Sequence, residues 1–162
     1  MAVPDDSRFR RRGATRPTRR WLIVSEDEKS SSLYLKRFFT NHRYACFDVV
    51  GGAGNTLSVV QRGIELANRA RFERNPYVHT WCVFDRDDHP PARFNDAIQL
   101  ARSQIDFSAI WSNEAFELWY LLHYDFLQSS LKRHEINERL ARRLGRAYSK
   151  SDAYIYDELM KD

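Results

Sequence analysis

The chain has 162 residues, 43% of them hydrophobic and 14% aromatic, which suits one folded domain and hardly two. No apolar stretch approaches the roughly 20 residues that cross a bilayer, and the Arg-rich start lacks the apolar core of a secretory signal, so a cytoplasmic, non-membrane protein is expected. The formal charge of +4 is concentrated at one end: residues 1–20 carry Arg8, Arg10, Arg11, Arg12, Arg16, Arg19 and Arg20 against Asp5 and Asp6, a net of +5, and leave the rest at −1.

Residues 1–20 read as a disordered arm. Its arginines suit nucleic-acid phosphates through counterion release, and a merely solubilising leader is the alternative. Trp21 to Val24 is a short apolar strand. The polar run Ser25 to Ser30 follows, and Ser30–Ser32 can cap a helix whose core face holds Leu33, Leu35, Phe38 and Phe39. Phe47–Val50 is a second strand. The turn Gly51-Gly52-Ala53-Gly54 leads to a helix over about 57–73; without the Gly-Lys-Ser/Thr of a P-loop it signals phosphate binding only weakly. Thr80–Phe84 is a third strand, ending in Asp85-Arg86-Asp87-Asp88-His89. Pro90-Pro91 delays the next helix to about Phe94–Ser103. Phe107–Trp111 is a fourth strand, and Ser112-Asn113 caps an apolar helix over about 114–124. A basic helix over about 131–144, suited to phosphates on its exposed face, and a weakly patterned tail complete the chain. Strands alternating with helices predict an α/β fold with a mainly parallel sheet. Cys46 and Cys82 lie alone in apolar segments without metal-ligand spacing.

In a parallel sheet the loops after the first and third strands emerge at one edge, where open α/β sheets place their ligands. Glu26 could therefore face Asp85 and Asp87. Carboxylates crowded together repel one another unless a hard cation lies between them. Such a cation neutralises a phosphodiester and acidifies a bound water, while a glutamate moves a proton or completes the shell. Glu28 and Asp88 are read more readily as helix-terminus charges. Asp87 cannot cap a helix two prolines away.

Leu22 to Ser30, Trp81 to His89 with Phe94 to Ala97, and Ser112 to Tyr124 occur in order, and together resemble the three motifs of the RloB-like family, whose members look like Toprim domains. The resemblance spans about 21–130, with 131–162 a basic helix and a tail that ends where family members usually continue. It implies a Toprim-like mainly parallel sheet flanked by helices, with Glu26 as the acid/base glutamate and Asp85 and Asp87 as ligands of Mg²⁺ or Mn²⁺. Asn113, Glu117 and His123 become candidate pocket residues beside Glu28 and Asp88; Asn113 as a plain cap and Glu117 as a loop anchor stay open. The family's place in anti-phage (abortive infection) loci implies a nuclease acting on RNA or DNA, with an ABC- or AAA-type ATPase as partner. The alternatives are a non-catalytic nucleic-acid- or nucleotide-binding partner of such an ATPase and a small-molecule phosphatase or nucleotidyl-transfer enzyme. Asp27 stands where the family has glycine, and would strain the turn if φ is positive there.

Overall fold

The structure is a computed structural model that describes residues 19–42, 46–87 and 90–161. Four parallel strands form one sheet in the order β2-β1-β3-β4: β1 is Arg20–Ser25, β2 Cys46–Val50, β3 His79–Asp85 and β4 Phe107–Ser112. β1 lies between β2 and β3 with Val24 opposite Val50 on one side and Cys82 on the other. The strand order turns between β1 and β3, which makes the gap beyond their carboxyl ends the topological switch point. The α/β fold is consistent with a Toprim-like arrangement.

Alternation along the strands divides the core. Leu22 and Val24 of β1 and Cys82 and Phe84 of β3 pack with α2 (Thr56–Phe72) and α3 (Pro91–Arg102) on one face. Ile23 and Val83 point to the other face, where α1 (Ser30–His42), α4 (Glu117–Leu121), α5 (Arg133–Leu144) and α6 (Ile155–Leu159) gather. Tyr34 is the aromatic hub of that second layer, edge-on to Phe116 at 5.9 Å and Tyr156 at 5.4 Å between ring centroids. Its hydroxyl disguises it in a hydrophobic count, and the expected core face of α1 omitted it.

Several boundaries differ from the expectations for local reasons. The third helix begins at Pro91 rather than Phe94, because a proline in the first turn lacks only an N–H that has no partner there. The apolar run expected as one helix over 114–124 forms only the five-residue α4, preceded by Phe116, so Asn113 caps nothing. β1 begins at Arg20, which pairs with Asp48 and donates to the Tyr77 hydroxyl at 3.2 Å, so this arginine belongs to the sheet rather than to the arm. The weakly patterned tail supplies α6, whose Ile155, Tyr156 and Leu159 are buried in the second layer.

A candidate metal and phosphate site at the switch point

β1 and β3 deliver the first two carboxylates. The Glu26 backbone N–H donates to the Val83 carbonyl at 3.1 Å, continuing the β1–β3 ladder one residue past the strand. Glu26 Oε2 in turn accepts the Asp85 backbone N–H at 3.1 Å. The Asp85 side chain is pushed up to about 7 from its ordinary 3.8, by burial first and then by the charges of Glu117 and Glu26, with Arg133 and Lys150 opposing.

β4 explains how Glu117 arrives. Asp85 lies opposite Ser112, and the pairing runs on through Arg86 N–H to Ser112 O at 2.8 Å and Asp87 N–H to Glu114 O at 3.3 Å. Two residues further on, Phe116 turns the chain into α4 and places Glu117 at its first residue, fully buried. Glu117 Oε1 accepts the Tyr148 hydroxyl at 3.0 Å, and Lys150 Nζ stands 3.8 Å from the same oxygen. Glu117 Oε2 is buried without a hydrogen-bond partner.

Asp87 adopts φ +41°, a left-handed conformation that aspartate tolerates better than most residues. Its Oδ1 pairs with the Arg133 guanidinium at 3.0 Å. Burial works against the Arg133 charge, and the bond to Asp87, with Asp85 and Glu117 behind it, more than restores it. Glu114 docks the start of α5 by accepting Lys132 Nζ at 2.8 Å and the Arg133 backbone N–H at 2.9 Å; these bonds hold its carboxyl below the usual range. Arg133 is thereby aimed at the carboxylates while Arg139, Arg142 and Arg143 sit further along the helix around Asp125. The resulting cleft, about 110 Å³, is lined by Glu26, Asp85, Asp87, Ser31, Arg133 and Lys150 among others.

Asp27 is an organiser of the first loop. Its carboxylate accepts Lys29 N–H at 2.9 Å, Ser30 Oγ at 2.7 Å and Ser31 Oγ at 3.2 Å, and its carbonyl accepts Ser32 Oγ at 2.7 Å. Asp27 is absent from the positive-φ residues, so the strain considered for that position does not arise. The serines expected as caps are instead hydroxyl donors to Asp27, whose carboxylate closes a turn on Lys29 N–H just before α1. The glycine turn is explained by close approach: a Cβ on Gly51 would overlap Ser32 Oγ and stand 2.5 Å from the Asp27 carbonyl oxygen.

Of the other candidates, Glu28 is exposed and leans over Gly52, and Asn113 is exposed; neither lines the cleft. His123 lies elsewhere, with Nε2 3.3 Å from the Tyr34 hydroxyl and its ring edge-on to Trp119; burial pulls its pKa down. Asp88, Arg8, Arg10, Arg11, Arg12 and Arg16 lie outside the described residues, and Arg19 is exposed. Arg133, Tyr148 and Lys150 were missed as site residues, because no motif marks them and nothing in their spacing ties them to Glu26 or Asp85.

The donor set is all oxygen: the carboxylates of Glu26, Asp27, Asp85 and Asp87 line one small cleft, and an oxygen of the neighbouring Glu117 is buried without a partner; this chemistry fits a hard divalent cation. Among the described residues no three His, Cys, Asp or Glu side chains already stand as a metal-holding group. No described helix is long and apolar enough to cross a membrane.

A family model described as RloB-like protein matches residues 21–161. That match extends past the three motifs and includes Arg133, Tyr148 and Lys150. No curated protein and no solved structure matches the chain.

Proposed function

The chain belongs to the RloB-like family, and we propose that it is a metal-dependent nuclease of Toprim type, cleaving RNA or DNA phosphodiesters in anti-phage defence. The observation that carries this reading is the convergence of Glu26 and Asp85, with Glu117 behind them, on a cleft that also receives Arg133 and Lys150. Two basic groups beside a carboxylate cluster suit a substrate whose anionic oxygens must approach a negatively charged site.

Mg²⁺ or Mn²⁺ held there supplies charge neutralisation at the phosphoryl group and a more acidic water. Glu26 and Asp85 are the carboxylates that hold it, with Asp87 at the mouth. Arg133 and Lys150 receive non-bridging phosphate oxygens, Arg133 through a planar fork and Lys150 as a point charge. Glu26, oriented by the Asp85 backbone N–H, is the group placed to hold or move a proton. Arg8, Arg10, Arg11, Arg12, Arg16 and Arg19 of the arm and the outer arginines of α5 extend the phosphate-binding surface, and an ABC- or AAA-type ATPase is the proposed partner.

The test is incubation of the purified chain with labelled RNA and DNA, with and without Mg²⁺ or Mn²⁺, beside Asp85→Asn. Cation-dependent cleavage by the wild type and its loss in Asp85→Asn are expected; equal cleavage by the variant overturns the assignment.

A second reading, a non-catalytic nucleic-acid- or nucleotide-binding partner of a defence ATPase, is favoured by the engagement of Asp87 by Arg133. The neighbouring Arg86 guanidinium lies over the Phe94 ring at 5.4 Å. Cation-independent binding of labelled nucleic acid without cleavage would select this reading.

A further inference from the structure

We propose that Glu117 is the inner carboxylate of the cation site and that Lys150 is the built-in counter-charge which a divalent cation displaces. The inference rests on the metal-dependent reading above and assigns roles that the three sequence motifs do not.

Glu117 is 0% exposed. Its Oε1 is used by Tyr148, whereas its Oε2 is buried with no hydrogen-bond partner. Buried polar atoms are ordinarily satisfied, and a charged one left unsatisfied is costly, so the position calls for a ligand the chain itself does not provide. A loop anchor would not need this residue type. A glutamine carbonyl would accept the Tyr148 hydroxyl equally well, without setting a negative charge against Asp85. A carboxylate kept where an amide would anchor as well is a carboxylate waiting for a cation.

Among the described residues, Lys150 is the cation within ion-pair range of Glu117. At 3.8 Å from Oε1 its ammonium is beyond hydrogen-bond distance, its side chain is 45% exposed, and it lines the cleft with Glu26 and Asp85. A strongly hydrated ammonium on a flexible stem can swing off Glu117 toward the open mouth of the cleft, where a phosphate oxygen would meet it. Arg133 is different: its fork is bonded to Asp87 and its backbone to Glu114, so it stays when the ion enters. The two variants should therefore move cation affinity in opposite directions. Losing Glu117 removes a ligand, and losing Lys150 removes a competitor.

Mn²⁺ binding to the full chain, followed by electron paramagnetic resonance, tests this without reference to cleavage. The wild type binds, Asp85→Asn loses binding, Glu117→Gln weakens it by about tenfold or more, and Lys150→Met tightens it several-fold. Glu117→Gln titrating like the wild type, or Lys150→Met binding no more tightly, overturns the proposal while leaving the cation reading in place. A wild type that binds no Mn²⁺ overturns both. Should Glu117→Gln fail to fold, Fe²⁺ with ascorbate and peroxide can be applied to the wild type. Backbone scission at 117 as well as at 26 and 85 supports the assignment, and scission confined to 26 and 85 overturns it.

Discussion

Glu26 Oε2 accepts a hydrogen bond from the Asp85 backbone N–H at 3.1 Å, so the β3 backbone orients the β1 carboxylate. The bond spans 59 residues of sequence and ties the two sides of the switch point together. The same glutamate is thus both a structural tie and a candidate acid/base group, and two substitutions separate these roles. Glu26→Gln keeps an acceptor for the Asp85 N–H and should stay within about 0.5 kcal/mol of wild-type stability, while losing Mn²⁺ affinity. Glu26→Ala leaves that N–H without its partner and should cost about 1–3 kcal/mol in urea unfolding. Equal stability of the two variants would show that the tie contributes nothing.

Asp85 gives a pH signature. Its carboxyl titrates at about 7 in the folded chain against 3.8 ordinarily, because burial and then Glu117 and Glu26 disfavour its charge. Between these values the unfolded chain has released the proton and the folded chain has kept it. Stability conferred by this group is therefore present at low pH and lost as pH rises toward 7. With divalent ions chelated, Asp85→Asn should be more stable than the wild type at about pH 8, and the difference should shrink toward about pH 4. Denaturant unfolding across that range checks it, and a pH-independent difference would contradict the burial argument.

Asp27 and Gly51 are expected to behave as structural partners. Asp27→Ala removes the acceptor for Lys29 N–H, Ser30 Oγ and Ser31 Oγ and should cost about 1–2 kcal/mol, with Mn²⁺ binding by the folded fraction retained. Gly51→Ala forces a methyl onto Ser32 and the Asp27 carbonyl and should cost about 1–3 kcal/mol. Thermal melts with and without Mn²⁺ read both effects. A selective loss of Mn²⁺ binding in a well-folded Asp27→Ala would instead make Asp27 a ligand.

The two thiols should differ sharply. Cys46 is exposed, whereas Cys82 is fully buried in β3 and burial pushes its pKa up to about 12. An aromatic disulfide reagent should titrate one thiol in the native chain and the second only after denaturation. Fast reaction of both would mean that the α2–α3 face opens readily.

The strands, helices and their alternation were legible because each is a local pattern: short apolar runs, apolar faces at helical spacing, and glycine or polar turns between them. Asp85 stood out for the same reason, as a carboxylate at the end of an apolar run. Parallel pairing of the first and third strands was enough to bring Glu26 beside it. The position of Glu117 was only half legible, since a motif suggested the pocket but burial with an unpartnered oxygen depends on what packs around α4.

Tyr148 and Lys150 could not be read at all, and Arg133 only as one basic position of a helix suited to phosphates. They reach the cleft because α5 docks on Glu114 and the tail folds back over α1 and α4 through Ile155 and Tyr156. Such contacts between distant segments leave no periodicity in the chain. Asp87 is the clearest case: residue type and spacing offered it as a metal ligand, and only the fold shows that it also pairs with a guanidinium 46 residues away. Local sequence physics set down the carboxylates at the ends of β1 and β3; tertiary packing chose the cations that face them, because charge balance in a buried cleft is settled among whatever groups the fold brings within a few ångströms.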